Sequence, residues 1–257
     1  MRTVVVTGSA SGIGRATKRL LESRGDRVVG VDIRDADVVV DLTTTEGRLE
    51  LVEQVRRLTD GRIDAVVANA GLATPTPQTV AVNYFGAVAT LEGLRPLLAR
   101  SAAPRAVATA SMASLMPHDD ELIGLCLAHD EASALVRAKQ LLETDQGGLI
   151  YSSTKAALCR WLRRGAPTPE WAGAGIPLNA IGPGVVETPM TAELTATEEA
   201  RQGLLQVVPM PLNGLMGPQV PAALLAWLVS EENSHLCGQV IFVDGGSDVV
   251  IRGDATW

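Results

Sequence analysis

The sequence predicts a single-domain α/β fold in which a doubly wound parallel sheet carries helices on both faces. Short β-branched runs alternate with longer amphipathic stretches along the chain, which is typical of βαβ units. The runs Val4–Val6 and Val66–Ala68 are continuously apolar, as expected of parallel strands that are buried on both faces. The 257 residues, 46% of them hydrophobic, suffice for one large core. We therefore treat residues 1–257 as one domain.

Six strands and five helices are predicted along the chain. The strands are Thr3–Thr7, Arg27–Asp32, Ala65–Ala68, Arg105–Ala110, Leu178–Ile181 and Val240–Val243. The helices are Ile13–Ser23, Glu46–Leu58, Thr79–Arg100, Tyr151–Arg164 and Val220–Ser230. In such a sheet a ligand binds at the carboxyl ends of the strands, so we expect the functional site at that edge.

Composition excludes several classes of protein. The net charge of −7 disfavours a nucleic-acid partner, because such binding depends on basic residues that neutralise phosphates. No apolar run approaches the roughly 20 residues that span a bilayer, so no membrane segment is predicted. The three cysteines are odd in number and far apart, which favours reduced thiols and a cytoplasmic location.

A glycine-rich turn follows the first strand and leads into a helix, as in Rossmann-type dinucleotide-binding domains. We expect Gly8 to permit the tight bend, Gly12 to let the backbone approach a pyrophosphate, and Gly14 to allow close helix packing. The helix N-terminus offers free N–H groups to the phosphates, so Ser11 and Ile13 are further candidates. Such a turn is a weak signal alone, and its position after the first strand strengthens it.

Asp32 ends the second predicted strand and points to the cofactor. A carboxylate at this position accepts hydrogen bonds from the ribose hydroxyls of NAD and repels the 2′-phosphate of NADP. Arg34 lies close in sequence and could pair with that phosphate, so NADP stays the less favoured alternative. We predict NAD.

Tyr151 and Lys155 are the candidate catalytic pair. Four residues apart on a helix, they share one face. An ammonium close to a phenol favours the phenolate and is expected to lower a pKa that starts near 10, so that the tyrosine can exchange a proton with a substrate. The only other tyrosine, Tyr84, stands beside Phe85 and is predicted to be a packed helix aromatic.

The order of these motifs resembles that of the short-chain dehydrogenase/reductase family over nearly the whole chain. The resemblance is carried by the glycine turn, Asn69-Ala70-Gly71, Ser111, the stretch from Tyr151 to Lys155, Pro183-Gly184 and Thr188. It implies an NAD-linked oxidoreductase that interconverts a secondary alcohol and a ketone by hydride transfer.

Within that family, three stretches are similar to bacterial hydroxysteroid dehydrogenases and carbonyl reductases. They are Val29–Ala36, Val82–Gly86 and the long segment between Ser111 and Tyr151. This similarity implies a hydroxysteroid or another hydrophobic alicyclic or aromatic carbonyl as substrate. A small terpene or aryl alcohol is the alternative substrate, and a non-catalytic nucleotide-binding regulator on the same fold is the alternative function.

The resemblance also implies roles for individual residues. Ser111 is expected to bond the substrate oxygen, with Ser114 as an alternative, and Asn83 to hold a water in the proton relay. Lys155 is expected to bind the nicotinamide ribose as well. The cofactor-binding set is completed by Ile33 beside Asp32, by Asp41 and Leu42 at the adenine, by Asn69, Ala70 and Gly71 beside the adenosine, and by Pro183, Gly184 and Thr188 at the carboxamide, with Ile181 against the nicotinamide face.

Two segments depart from the compact pattern. Residues 115–147 form an insertion before the catalytic helix, and residues 135–143 within it have helical spacing. The insertion either caps the substrate pocket or covers a surface that relatives use for assembly. In the second case a homodimer through the last strand and its neighbouring helix is favoured over a tetramer.

Residues 188–217 are expected to form a lid over the substrate. The apolar tail of this segment, Met210, Leu212, Leu215 and Met216, suggests either a hydrophobic ligand or packing of the lid on the core. No metal site is predicted, because the spacing of His118, Cys126 and His129 in the insertion matches no familiar ligand pattern.

Overall fold

The computed structural model describes residues 1–255, and its centre is a seven-stranded sheet. The strand order is β3-β2-β1-β4-β5-β6-β7, and every pair is parallel. The predicted parallel α/β fold is therefore confirmed. The strands are β1 (Thr3–Thr7), β2 (Arg27–Asp32), β3 (Val38–Val39), β4 (Ala65–Ala68), β5 (Arg105–Thr109), β6 (Leu178–Pro183) and β7 (Val240–Val243).

Ten α-helices are present in the described part of the chain. They are α1 (Gly12–Ser23), α2 (Thr45–Leu58), α3 (Pro77–Val80), α4 (Ala87–Leu98), α5 (Asp120–Leu127), α6 (Glu131–Glu143), α7 (Leu149–Gly165), α8 (Glu198–Val207), α9 (Gln219–Leu228) and α10 (Ser247–Arg252). A π-helical segment, Ala81–Gly86, joins α3 to α4. Within residues 1–255 no helix is long and apolar enough to cross a membrane.

Each face of the sheet is covered by its own apolar layer. On one face, Val4 and Val6 of β1 pack with Leu21 of α1 and Leu225 of α9. The other face packs against α2, α4 and α7, and this larger layer extends into the insertion. The alternation of β1 side chains between the layers follows from the two-residue period of a strand. The carboxyl ends of the strands stay free to form a site.

Several features differ from the sequence-based expectation, among them the helices α8 and α10, which are absent from the predicted set. The strand β3 was not predicted, because two residues are too few to show a period. The expected continuous helix over residues 79–100 is interrupted by the π-helical segment, a feature frequent at functional sites. In the insertion, α6 is longer than predicted and α5 precedes it. Asp119 and Asp130 cap the two helices by accepting from Leu122 N and Ser133 N, as capping residues do.

Candidate active site

A continuous groove runs across the carboxyl ends of the strands. It consists of two hollows that share Gly8, Ser11, Ala70, Gly71 and Leu72 as lining residues. We call these the catalytic hollow, which extends to Tyr151, and the adenosine hollow, which extends to Asp32. Two joined hollows in one line fit an elongated ligand such as a dinucleotide.

The glycine turn has the backbone that the sequence predicts. Gly8 and Gly12 have φ of +69° and +50°, a region that glycine adopts at low cost. A Cβ on Gly14 would lie 2.1 Å from the carbonyl oxygen of Gly8, so no other residue fits there without displacing the turn. Gly14 lies behind the groove wall and supports it, whereas Ser11, Gly12 and Ile13 line the groove itself.

Asn69 connects the ends of three strands. Its backbone N–H donates to Thr7 Oγ1 at 2.9 Å, and its Nδ2 donates to the Thr7 carbonyl oxygen at 3.2 Å. Its Oδ1 accepts a 3.0 Å hydrogen bond from the hydroxyl of Thr109. Asn69 therefore holds the groove floor together as well as lining it. Thr109 also lines the groove, and the sequence analysis missed it because nothing local marks a strand-end threonine.

Asp32 lies at the far end of the adenosine hollow. Its Oδ2 accepts from Ala10 N at 2.9 Å and its Oδ1 from Ile33 N at 2.8 Å, so the carboxylate is fixed beside the glycine turn. The same hollow is lined by Ile33, Arg34, Asp41 and Leu42. Asp41 accepts two 2.8 Å hydrogen bonds from Thr43. This end of the groove offers acidic acceptors of the kind that a ribose binds.

The candidate catalytic side chains meet at the other end. Ser111, Tyr151 and Lys155 all line the catalytic hollow. Lys155 is only 4% exposed, and its Nζ donates to the carbonyl oxygen of Thr109 at 2.9 Å and lies 5.7 Å from the ring centroid of Tyr151. The Ser111 hydroxyl accepts from Ala113 N at 3.1 Å, which orients it at the start of the 3₁₀ turn Met112–Leu115.

Burial controls the pKa values of this pair. It raises the pKa of Tyr151, against the opposing effect of the Ser111 hydroxyl, and it lowers the pKa of Lys155 to about 8. Burial therefore gives the net shift of the Tyr151 pKa, and the expected lowering of that pKa by Lys155 stays a prediction. Desolvation disfavours both charged forms, and the ammonium is directed to Thr109. At neutral pH Tyr151 is a phenol that can donate a proton.

Comparisons with known proteins agree with this geometry. A family model described as enoyl-(acyl carrier protein) reductase matches residues 8–248. The 3-alpha-hydroxysteroid dehydrogenase/carbonyl reductase of Comamonas testosteroni is 36% identical over 259 residues, which cover 98% of each chain. The chain belongs to the short-chain dehydrogenase/reductase family. It is an oxidoreductase, as the order of its motifs predicts.

Two further relatives bear on the site of this short-chain dehydrogenase. The solved 3-alpha-hydroxysteroid dehydrogenase of Pseudomonas sp. B-0831, complexed with NADH, superimposes with a TM-score of 0.90 at 37% identity and covers 98% of this chain and 99% of its own. The cis-4-hydroxycyclohexanecarboxylate dehydrogenase of Sinomonas cyclohexanicum is 31% identical over 97% of each chain.

Most of the predicted site residues of this dehydrogenase line the groove. Besides those named above, Asn69, Ala70, Gly71, Pro183, Gly184 and Thr188 do so. Pro189, Met190 and Thr191 of the predicted lid also line the catalytic hollow, whereas Leu72, Ala110 and Val186 were not predicted as site residues. These are mostly apolar wall residues, and no spacing or residue type distinguishes them from core residues before the fold is known.

Asn83 does not line the groove but holds its wall. In the π-helical segment, its side-chain amide donates to Leu72 O at 2.9 Å and accepts from Leu72 N at 2.8 Å. The Nδ2 also lies 3.3 Å from Thr154 Oγ1. The side-chain amide is thus engaged by the protein, and the expected role of Asn83 in holding a water stays a prediction.

Three other candidates lie outside the groove. Ser114 lies beside the thiol of Cys159. Ile181 is fully buried among the apolar residues under α1 and α9; it is not one of the groove-lining residues expected for the nicotinamide face. Tyr84 is fully buried with its ring 5.1 Å from Phe85 in an edge-to-face arrangement, as predicted for a packing residue.

In the insertion, Cys126 and His129 both lie near Tyr84, whereas His118 contacts other residues. Cys126 is fully buried, and burial raises the pKa of its thiol to about 12. The ring centroids of His129 and Tyr84 are 6.3 Å apart, and the two rings are tilted by 44°. Nδ1 of His118 lies 3.0 Å from Met116 O. Among residues 1–255, no three His, Cys, Asp or Glu side chains are grouped so as to hold a metal ion.

The apolar tail of residues 188–217, the predicted lid, packs on the protein. Met210 and Met216 are buried with Met112, Val185 and Val186, and Met210 Sδ accepts from Val185 N at 3.3 Å. Of the two interpretations of this tail, packing on the core therefore holds for these two methionines. At the other end of the lid, Met190 is 47% exposed and lines the catalytic hollow.

The insertion lies away from the groove. All of residues 115–147 are described, and none of them lines either hollow. Instead α5 packs against α7, while α6 packs against α3, α7 and the π-helical segment. The structure therefore favours the interpretation in which the insertion covers a helical surface over the one in which it caps the substrate.

Proposed function

We propose that the chain is an NAD(H)-dependent dehydrogenase that interconverts a hydrophobic secondary alcohol, such as a hydroxysteroid, and its ketone. The observation that carries this proposal is the convergence of Ser111, Tyr151 and Lys155 at one end of a groove whose other end holds Asp32. The 37% identical relative that is complexed with NADH supports the choice of cofactor.

The residues of the groove suit two parts of the cofactor, its adenosine and its pyrophosphate. Asp32 and Asp41 supply acceptors for the adenosine, and the backbone from Gly8 to Gly12 approaches the pyrophosphate without side-chain obstruction. When bound, NAD(H) accepts or supplies the hydride that leaves or reaches the substrate carbon. Arg34 lines the same end of the groove and could pair with a 2′-phosphate, so NADP is the less favoured alternative cofactor.

Tyr151 is assigned the proton transfer. During ketone reduction its hydroxyl donates a proton to the substrate oxygen, while the Ser111 hydroxyl orients that oxygen. During alcohol oxidation the phenolate form accepts the proton. Lys155, with a pKa of about 8, carries a charge at neutral pH that favours this phenolate. The positive charge of an oxidised nicotinamide acts in the same direction. We assign to Asn83 the role of orienting a water molecule that takes part in the proton relay.

The substrate class rests on the walls of the catalytic hollow and on the relatives. Leu72, Val186, Pro189 and Met190 give the hollow an apolar lining, and the exposed thioether of Met190 adapts to varied shapes. Residues 188–217 act as the lid in this proposal, within a single domain of residues 1–257. The relative that acts on a hydroxysteroid is 36% identical.

A smaller alicyclic alcohol is the second candidate substrate. It is favoured by the 31% identity to a dehydrogenase of cis-4-hydroxycyclohexanecarboxylate, and terpene or aryl alcohols belong to the same size class. A non-catalytic regulator is disfavoured, because nucleotide binding alone needs only the glycine turn and Asp32 and gives no reason to gather Ser111, Tyr151 and Lys155.

A panel of ketones and alcohols, followed by NADH absorbance, tests the proposal. We expect turnover of 3-ketosteroids or 3-hydroxysteroids with NAD(H), and slower turnover with NADP(H). Turnover confined to small aryl or terpene alcohols would replace the steroid by the second candidate. Binding of NADH without turnover of any member would favour the regulator.

We also propose that the active form is a cytoplasmic homodimer. The strand β7 is an edge strand of the sheet, and α9 beside it exposes Val220 and Trp227. The surface of α7, by contrast, is covered by α5. The three cysteines are free, which suits a reducing compartment.

A further inference from the structure

An arginine in α2 links the insertion to the adenosine hollow. Both Nη atoms of Arg48 contact Glu131, the first residue of α6, at 2.6 and 2.7 Å. Glu131 is 83 positions away in sequence. The Arg48 side chain is 9% exposed and that of Glu131 is 28% exposed, so this bidentate pair is largely withdrawn from water. Such charge-assisted pairs are the strong and geometrically specific ones.

The same guanidinium bonds the backbone that forms the hollow. Its Nε donates to Leu42 O at 2.8 Å, and its Nη2 lies 3.4 Å from Thr43 O and 3.0 Å from Ala81 O. Leu42 and Thr43 line the adenosine hollow, as does Val82, which follows Ala81. Arg48 therefore holds two separate walls of the hollow by their carbonyl oxygens.

The other polar contacts of the loop before α2 are with its own turn and with the end of β2. Gly47 packs so closely on this loop that a Cβ there would lie 2.0 Å from Asp41 O, and the Asp41 carboxylate bonds only Thr43 within its own turn. Between this loop and the π-helical segment, Arg48 supplies hydrogen bonds that add to the packing of Leu42 on Gly86, and Glu131 orients Arg48.

We propose that Arg48 and Glu131 are a positioning pair for the adenosine half of the cofactor, through which the insertion sets cofactor affinity. This inference rests on the proposed function. Removing the charge of Glu131 leaves a buried guanidinium without its counter-ion, which favours rotation of the side chain toward water. The carbonyl oxygens of Leu42 and Ala81 then lose their donor, and the two walls of the hollow lose their fixed spacing.

Two variants test the pair by different chemistry. Glu131→Gln keeps the side-chain volume and removes the charge. Arg48→Lys keeps the charge but loses the planar fork that reaches three carbonyl oxygens and the Glu131 carboxylate at once. For both variants we expect the Kd of NADH and of ADP-ribose to rise about tenfold, equivalent to about 1.4 kcal/mol. The kcat at saturating NADH should stay unchanged, because neither residue approaches the catalytic hollow.

Arg137→Gln is the matched control. It removes an arginine of the insertion itself, which pairs with Asp119 at 2.7 Å and with Glu121 at 3.2 Å and touches no groove residue. This variant should lower the melting temperature and leave both Kd values as in the wild type. ADP-ribose lacks the nicotinamide, so its binding reports the adenosine half separately.

The outcomes separate this inference from the proposed function. Wild-type affinity for NADH and ADP-ribose in both Glu131→Gln and Arg48→Lys would overturn the positioning role. An equal loss in Arg137→Gln would also overturn it, since the insertion would then act through general stability. A wild-type protein that binds neither NADH nor ADP-ribose would overturn the proposed function, and this inference with it.

Discussion

The Lys155 ammonium donates a 2.9 Å hydrogen bond to the carbonyl oxygen of Thr109, the last residue of β5. This contact ties the catalytic helix α7 to the strand end from which the groove floor is built. It also directs a buried charge to one backbone acceptor, so the position of Lys155 beside Tyr151 is determined by the sheet itself. The first two predictions concern this pair.

Tyr151→Phe should lower kcat for ketone reduction by about 10²- to 10⁴-fold, the usual contribution of a positioned acid or base. The Kd of NADH should stay unchanged, because the phenyl ring still fills the same space. Steady-state kinetics and NADH fluorescence titration measure the two quantities. Unchanged reduction would remove Tyr151 from the mechanism.

Lys155→Met should stabilise the protein at pH 7 while destroying activity. The folded-state pKa of about 8 lies below the ordinary 10.5, so burying the ammonium costs about 3 kcal/mol at neutral pH, partly offset by roughly 1 kcal/mol from the bond to Thr109. Between pH 8 and 10.5 the unfolded wild type binds more protons than the folded form, so wild-type stability rises relative to the variant. Urea unfolding at pH 7 and pH 9.5 measures the difference, and a pH-independent difference would contradict the burial argument.

Asp32 variants should change the cofactor preference. Asp32→Asn keeps an acceptor for Ala10 N and removes the charge that repels a 2′-phosphate, so the kcat/KM ratio of NADH to NADPH should fall about tenfold, or about 1.4 kcal/mol. Asp32→Ala should relax the ratio similarly and weaken NADH binding further, because the glycine turn loses its acceptor. An NADPH preference in the wild type would show that Asp32 is wrongly assigned.

Two methionines of the lid should behave differently. Met190→Ala should raise KM for a hydrophobic ketone by a factor equivalent to about 1 to 2 kcal/mol, with stability unchanged, because Met190 is exposed in the hollow. Met210→Ala should instead destabilise the fold by about 2 to 5 kcal/mol, since Met210 is only 5% exposed. Thermal unfolding and steroid kinetics separate the two effects, and equal effects of both variants would refute the assignment.

The proposed dimer can be tested with two variants, each of which introduces a glutamate on one candidate surface. Trp227→Glu on α9 should shift the protein to a monomer in sedimentation velocity, because it places a charge at an interface centred on β7. Val136→Glu on the exposed face of α6 should leave the dimer intact. Dissociation by the Val136 variant alone would place the interface on the insertion.

The parts of this structure that local patterns specify were accessible from the sequence. Strand β1, the turn from Gly8 to Gly14 and the pair Tyr151 and Lys155 each depend on the spacing of neighbouring residues, and the structure has them where the spacing indicates. The same is true of Asp32, because a strand end fixes where its last side chain points.

The parts that depend on distant partners were not accessible. Arg48 and Glu131 meet across 83 positions, and neither residue stands in a motif. The direction of the Tyr151 pKa shift depends on burial, which outweighs the lowering effect of the Ser111 hydroxyl. Whether Met210 faces a ligand or the core depends on Val185, whose position only the completed sheet defines.

The anchoring of the lid by its tail has a consequence for how this enzyme can be altered. Met210 is fixed to Val185, and Leu212 N donates to Gly245 O at 2.9 Å, so the lid joins the sheet through contacts that lie outside the groove. Within residues 189–207, Thr191 Oγ1 donates to Val186 O, and Leu204 and Leu205 pack on the cluster of buried methionines. Exchange of residues 189–207 between relatives would therefore test whether this segment sets the substrate, since none of these residues lines the adenosine hollow.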